Sequence, residues 1–148
     1  MKTFAWPKYD IVKNINGKEE VYLRRYFIFR SKYFNIYLHN IRFPDDDEFP
    51  HTHPWNFFSL MLNGGYLENV YYPEPIDGKV SVEKTNIRKG ISLEYREAAC
   101  VHKIIKVLPS TWTLVCTGKV QKDWGFLTND GWVYWRKFLN IWEKVDMD

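Results

Sequence analysis

Short segments rich in β-branched and aromatic residues recur along most of the chain, and turn residues separate them. Regular spacing of this kind is typical of an antiparallel sandwich or barrel rather than of a fold that alternates helices with strands. We therefore predict an all-β protein with seven or eight antiparallel strands. The segments are VYLRRYFIFR (21–30), FNIYLHNIRF (34–43), WNFFSLML (55–62), YLENVYY (66–72), KVSVEKTNIR (79–88), ISLEY (91–95), CVHKIIKVL (100–108) and TWTLVCTG (111–118).

The turns between these segments predict which strands pair. Asn63-Gly64 can supply the positive φ angles of a tight hairpin, so the third and fourth segments are predicted to pair with each other. Counting back from this turn places Ser59 opposite Glu68, with both side chains on one face. The last two segments are predicted to pair across the sequence LPST.

The C-terminal sequence has a different period. In NDGWVYWRKFLNIWEKV, the residues Trp132, Trp135, Leu139 and Trp142 follow one another at spacings of three, four and three residues. This spacing places them on one stripe of an α-helix. We predict a C-terminal helix over about residues 130–145 that packs on the barrel or forms a dimer surface.

Length and composition limit the class of protein. The 148 residues, 45% of them hydrophobic, predict one domain, with the barrel over about residues 20–118. The net charge is only +3 and the basic residues are scattered among acids, which argues against a nucleic-acid partner. No signal peptide or membrane-spanning run is recognisable, so the protein is expected to be cytoplasmic with no membrane partner. The cysteines Cys100 and Cys116 are expected to be reduced.

His51 and His53 stand one residue apart, directly before an aromatic run. Side chains at positions i and i+2 of a strand point to the same side. The two imidazoles are therefore predicted to converge on one face of a sheet. The same parity adds Trp55, Phe57 and Ser59 to that face.

His102 lies 49 residues after His53, on another predicted strand with apolar residues on both sides. Two imidazoles from one strand and a third from a distant strand would supply three neutral nitrogen ligands and leave positions open on a divalent ion. Substrate or dioxygen would bind at those positions. The alternatives are a pair of surface histidines and a single buried core histidine.

The sequence HTH, followed eleven residues later by Gly64, and the sequence IRKGISLEYREAACVHKI resemble the two-part signature of the cupin superfamily. The match covers roughly residues 42–118. The resemblance implies a small antiparallel jelly-roll β-barrel, and it implies metal-binding roles for His51, His53 and His102. The sequences HPW, GGYLE and WGFLTNDGWVYWRKFL are also similar to small cupin-domain proteins of bacterial and phage genomes.

The sequence departs from this signature at the carboxylate ligand. The first motif usually has a glutamate about four or five residues after its second histidine, where this chain has Phe57 and Phe58. Glu68, which the predicted hairpin turns toward the same face, is the candidate replacement as a metal ligand. Asn56 or a water molecule is the alternative. The second motif has YREAACVH where the family usually has Pro-x-Gly.

Several further side chains are candidates for a substrate pocket: Trp55, Phe57, Ser59, Tyr66 and Cys100. The alternative is that the aromatic residues fill the barrel. Cys100 has the strand parity of His102, but a cysteine at such a position is more often a small buried hydrophobe.

Three functions follow from these residues. The first is a metal-dependent cupin enzyme that uses Fe, Mn, Ni or Zn for oxygenase or isomerase-like chemistry on a small molecule. The second is a metal-free cupin that acts on nucleotide-linked sugars, with a pocket histidine as general base. The third is a non-catalytic barrel that binds a small ligand. The expected partners are a small-molecule substrate and a second copy of the chain.

Overall fold

The computed structural model describes residues 8–45, 49–135 and 137. Within these residues the chain forms eleven β-strands. They are β1 (Lys8–Ile15), β2 (Lys18–Arg30), β3 (Asn35–Ile41), β4 (Phe57–Asn63), β5 (Gly65–Tyr71), β6 (Val82–Lys89), β7 (Ser92–Arg96), β8 (Val101–Val107), β9 (Thr111–Thr117), β10 (Gly125–Thr128) and β11 (Gly131–Tyr134).

The strands form a six-stranded sheet in the order β1-β2-β3-β9-β4-β7, a three-stranded sheet in the order β6-β5-β8, and the two-stranded pair β10-β11. Every pairing is antiparallel, which confirms the prediction of an all-β antiparallel fold. The strands do not close into one hydrogen-bonded barrel in the described part of the chain. Within that part, no helix combines the length and the apolar character that a membrane crossing needs.

The interior between the two larger sheets has an apolar cluster at one end and many buried polar side chains. The apolar cluster consists of Ile41, Met61 and Tyr66, with Leu23, Ile104 and Val107 packed against it. The buried polar side chains on these and neighbouring strands are His39, Ser59, Glu68, Arg88, His102, Thr113 and Thr117. Buried polar groups destabilise a fold unless they are hydrogen-bonded, so this part of the interior is the natural place to look for function.

The predicted hairpin at Asn63-Gly64 is wrong. A two-residue hairpin turn of type I′ needs positive φ at both central residues, but Gly64 has a φ of 77° while Asn63 does not have a positive φ. The chain instead crosses here from one sheet to the other. β4 pairs with β7 and β9, whereas β5 pairs with β6 and β8. Ser59 consequently aligns with Glu94 and not with Glu68.

The predicted pairing of the last two segments across LPST is wrong for the same reason. β8 lies beside β5 in the smaller sheet, and β9 lies between β3 and β4 in the larger one. Each strand has its buried face toward the interior, so two strands joined by a short turn can face each other instead of lying side by side.

The C-terminal helix predicted over about residues 130–145 is wrong at its start. Gly131–Tyr134 form β11, and Trp132 aligns with Leu127 on β10. β10 is almost fully buried, with Phe126 and Leu127 at 3% and 1% exposure. Pairing with a buried strand outweighs the helical spacing of the tryptophans, since local preference yields to such a neighbour. Residue 136 and residues 138–145 of the predicted helix lie outside the described residues.

Candidate metal centre

His51 is held against His102 by backbone hydrogen bonds. The N–H of His51 donates to the His102 carbonyl at 3.2 Å, and the N–H of His102 donates to the His51 carbonyl at 3.1 Å. On its other side His51 forms a β-bridge with Phe126 of β10. The backbone therefore joins the smaller sheet to the β10-β11 pair at the position of the first histidine.

His53 is fixed by the next contacts of the same segment. Its N–H donates to the Ala98 carbonyl at 3.2 Å, and the N–H of Thr52 donates to the Gly125 carbonyl at 2.9 Å. The rings of His51 and His53 lie on one side with their centroids 5.0 Å apart. Both residues precede β4, so this convergence comes from an extended segment before the strand and not from the strand itself.

The three imidazoles of His51, His53 and His102 form one compact cluster. The centroid of His102 lies 4.8 Å from that of His51 and 4.9 Å from that of His53. The Nε2 atoms of His53 and His102 are 2.7 Å apart, and one nitrogen of each ring lies within 4.8 Å of the other two. Two nitrogens bound to one ion at about 2.1 Å are at most about 4.2 Å apart, so the cluster fits a single ion after small side-chain adjustments.

Glu68 lies behind His102 and is not one of the clustered donor groups. Its Oε1 accepts a hydrogen bond of 2.6 Å from His102 Nδ1, and its Oε2 accepts one of 2.7 Å from Arg96 Nη2. A carboxylate on Nδ1–H fixes the tautomer of the ring and leaves the lone pair on Nε2. The structure therefore brings Glu68 to the site as the partner of a histidine, where it orients His102 toward the cluster.

The architecture is shared with solved structures, although no protein-family model and no curated protein sequence matches the chain. A candidate mannose-6-phosphate isomerase from Ralstonia eutropha JMP134 superposes with a TM-score of 0.53 at 11% identity, over 66% of this chain and 84% of that one. KdgF from Halomonas sp. gives 0.51 at 7% identity, over 76% and 89%. Both are cupin-type proteins. The chain has the cupin fold.

A third cupin structure, the Fe(II) form of HppE, has a TM-score of 0.54 at 15% identity and covers 76% of this chain. The chain spans 56% of the length of HppE, so it corresponds to about half of that protein.

Burial keeps His51 and His53 neutral. Burial, and in second place the neighbouring His102, lowers the pKa of both His51 and His53 well below the ordinary value. Their lone pairs are therefore available near neutral pH. Burial alone would raise the pKa of Glu68, but the hydrogen bonds from His102 and Arg96 outweigh it and lower the pKa to about 2. Glu68 is thus a carboxylate under ordinary conditions.

Aromatic rings line the histidine cluster. Trp55 stacks on His53 at 5.1 Å with an interplanar angle of 9°, and Phe57 meets the same ring edge-on at 5.0 Å. Trp124 and Phe126 each lie 6.4 Å from the ring of His51. The structure thus brings Trp55 and Phe57 to the site, as the strand parity predicted, and adds two aromatic residues that sequence reasoning missed.

Ser59 and Tyr66 lie in the interior, but their polar atoms are bonded to Arg88. Arg88 Nη1 donates to Ser59 Oγ at 3.1 Å and to the Tyr66 hydroxyl at 2.7 Å. Burial raises the pKa of Tyr66 to about 12, so the hydroxyl keeps its proton. These two predicted pocket residues stabilise a buried arginine, and the structure does not place them against the histidine rings.

Cys100 is not one of the clustered donor groups. It lines a cavity of about 360 Å³ together with Val70, Tyr95 and Arg96. Burial raises the pKa of its thiol, so the thiolate is not favoured. Cys100 and Cys116 are both free cysteines.

Sequence reasoning also missed two interior residues, Arg25 and His39. They align across β2 and β3, and Arg25 Nε donates to His39 Nε2 at 3.0 Å. The available signal was the alternation along residues 34–43, which places His39 on the same face as the buried Tyr37 and Ile41.

The stability of metal-free protein is expected to fall as the pH drops below about 6.5, the ordinary pKa of histidine. The folded protein holds His51 and His53 neutral, so the unfolded chain takes up protons first and stability decreases with decreasing pH. Each of these histidines contributes a slope of about 1.4 kcal/mol per pH unit below that value. Urea unfolding in EDTA between about pH 7.5 and about pH 5 measures the slope. A stability that is constant over this range would contradict the buried, neutral state.

Proposed function

We propose that the chain is a metal-dependent cupin enzyme in which His51, His53 and His102 hold one divalent ion. The observation that carries this proposal is the convergence of three imidazoles, with donor atoms within 4.8 Å of one another. One of the three is oriented by a buried carboxylate, an arrangement common among histidines that bind metals. Imidazole suits Fe, Ni and Zn, and Mn is also compatible, so the donor set does not select one metal.

A divalent ion with open positions supplies Lewis acidity toward a bound substrate and, for iron, a place for dioxygen. The residues of the chain would orient the ligands of the ion and exclude water. Glu68 holds the Nδ1 proton of His102, so that its Nε2 presents a lone pair to the cluster. Trp55 and Phe57 cover His53 with apolar rings and exclude water from one side of the site. Exclusion of water strengthens every electrostatic interaction at the reacting atoms.

Isomerase or oxygenase chemistry on a small molecule is the reaction type that we propose. One structural relative is described as a candidate mannose-6-phosphate isomerase, which supports isomerase chemistry, and another is described as the Fe(II) form of HppE, which supports a metal-dependent reaction. The aromatic lining at His53 and His51 adds that part of the substrate is apolar or planar.

Elemental analysis followed by turnover tests this function. The untagged protein is purified without added metal, its Fe, Mn, Ni and Zn contents are measured, and NMR follows a mixture of small sugars, sugar phosphates and organic acids incubated with it. We expect about one equivalent of one metal and substrate loss that stops after chelation and returns with that metal. Stoichiometric metal without any substrate loss would contradict the enzyme and support a binding protein.

A second function is favoured by the pair formed by Glu68 and His102. A carboxylate 2.6 Å from one nitrogen of a buried imidazole is the arrangement that orients a general base, and the other nitrogen of His102 faces the interior. In this case the same site acts without metal, as in the metal-free cupin hypothesis. Full turnover by protein from which all metal has been removed would select this function over the first.

A further inference from the structure

Arg25 lies on the inner face of β2, in line with two other inward-facing polar residues. It aligns with His39 on β3, and His39 aligns with Thr113 on β9. Leu23 and Ile41, two positions away on the same strands, pack in the apolar core, which fixes the direction of these faces. Arg25, His39 and Thr113 therefore form one row across the interior side of the larger sheet.

The guanidinium of Arg25 has no carboxylate partner among the described residues. Its Nε donates to His39 Nε2 at 3.0 Å, and its Cζ lies 4.6 Å from the centre of the Tyr37 ring. The other two inward arginines differ in this respect. Arg88 lies 3.8 Å from a carboxylate oxygen of Glu94, and Arg96 lies 2.7 Å from one of Glu68.

The Nη groups of Arg25 are consequently available to bind a ligand. No hydrogen bond from them occurs within the described part of the chain, and Arg25 itself is half-buried. A buried or half-buried cation without a counter-ion is costly, and an anionic ligand removes that cost. The paired N–H groups of a guanidinium match two oxygens of a carboxylate or phosphoryl group.

Thr113 provides an independent indication of a ligand. The residue is 1% exposed, and its Oγ1 is buried without a hydrogen-bond partner among the described residues. Buried hydroxyl groups in native proteins almost always have a hydrogen-bond partner. A buried hydroxyl without one therefore calls for an explanation, such as a bound ligand or water atom. Thr113 is the neighbour of His39 in the row, so its side chain is on the same face of the sheet as that of Arg25.

Arg25 reaches along the interior toward the histidine cluster. Its guanidinium lies against the ring of Tyr37, one inward position nearer to that cluster on β3. Tyr37 aligns with Val115, and the next inward residue of β9, Thr117, aligns with Phe57, whose ring meets His53 edge-on at 5.0 Å. Burial and the charge of Arg25 lower the pKa of His39 itself to about 3, so His39 is a neutral acceptor that holds the guanidinium. The guanidinium of Arg25 is therefore directed toward the His53 end of the interior.

We infer that Arg25 and Thr113 bind an anionic group of the substrate, a carboxylate or a phosphoryl group, while the reacting part of the molecule lies at His51, His53 and His102. The substrate class is then a small organic acid or a phosphate ester. His39 is a positioning residue that holds the Arg25 side chain. This inference rests on the proposed function for the location of the reaction, but the anion site itself does not require a bound metal.

Calorimetric titration with malonate and with inorganic phosphate tests the site, and malonamide is the uncharged counterpart. The titrations use the protein as purified with its metal, whose content is measured for each variant. Arg25→Gln is expected to weaken binding of the preferred anion at least tenfold while the metal content is unchanged. Thr113→Val, which removes only the hydroxyl, is expected to weaken it severalfold. Preference for malonate assigns a carboxylate, and preference for phosphate assigns a phosphoryl group.

Arg24→Gln is the matched control, because Arg24 is next to Arg25 on the opposite face of β2 and is paired with Asp10 at 2.8 Å. It is expected to leave anion binding unchanged. If Arg25→Gln does not fold, Arg25→Lys and Thr113→Val carry the test, since both preserve the size of the side chain. Equal anion affinity in the wild type and the Arg25 and Thr113 variants, or malonamide binding as tight as malonate binding, would overturn the inference. Loss of metal with anion binding intact would count against the proposed function alone.

Discussion

Replacement of both His51 and His53 by alanine is expected to abolish stoichiometric metal binding. The wild type should hold about one equivalent, and the double variant less than about a tenth of that, because only His102 remains of the three donors and one ligand cannot retain a divalent ion. Elemental analysis after dialysis against metal-free buffer measures the occupancy. His102→Ala is expected to lower the occupancy as well, while far-UV circular dichroism stays that of the wild type.

The fourth histidine supplies the control for this experiment. His39 is also buried, at 9% exposure, but it bonds to Arg25 and is not part of the metal-donor cluster. His39→Gln is expected to keep the full metal content. Metal content that is unchanged in the double variant, or that falls equally in His39→Gln, would contradict the assignment of the ligands.

Arg88→Met is expected to destabilise the protein by about 3 to 5 kcal/mol. Arg88 is 3% exposed and donates to the Ser59 and Ser92 carbonyls at 2.8 and 2.9 Å, as well as to the Tyr66 hydroxyl. Methionine fills part of the volume but leaves these acceptors buried without a donor, while the Glu94 carboxylate keeps its ion pair with Arg96. Urea unfolding at pH 7 measures the difference in free energy.

Arg24→Met is the comparison for this loss of stability. Arg24 and Asp10 form a partly exposed pair, each with 27% of its side chain accessible, so solvent screens the interaction and both groups are solvated when it breaks. The effect should be far smaller than that of Arg88→Met. Equal destabilisation by the two substitutions would show that the buried network of Arg88 does not hold the two sheets together.

Sequence periodicity predicted most of the strands. Burial of one face makes inward-facing and outward-facing residues alternate along a strand, as at Tyr37, His39 and Ile41 of β3. β1, β10 and β11 were missed. β1 mixes charged and apolar residues on an edge of the sheet, and β10 and β11 have only four residues each. Strand partners could not be predicted from the turns, since a turn fixes local φ and ψ but not whether the chain stays in one sheet.

The histidine cluster could be predicted from the sequence only in part. The period-two rule brought His51 and His53 together, although the two residues lie before the strand. Glu68 was expected near the site through a hairpin that does not exist, and it reaches His102 because β5 and β8 are neighbours. Arg25 could not be assigned, because its role depends on which side chains of other strands share its end of the interior.

X-ray absorption spectroscopy of the protein loaded with one equivalent of Co²⁺ tests the central claim most directly. If His51, His53 and His102 hold one ion, the spectrum should show a single environment with three imidazole nitrogens at about 2.0–2.2 Å, the remaining positions being filled by light oxygen or nitrogen atoms. The double alanine variant should lose this signature. A spectrum that shows fewer than two imidazoles, or that is the same in the double variant, would mean that the histidine cluster is not a metal centre.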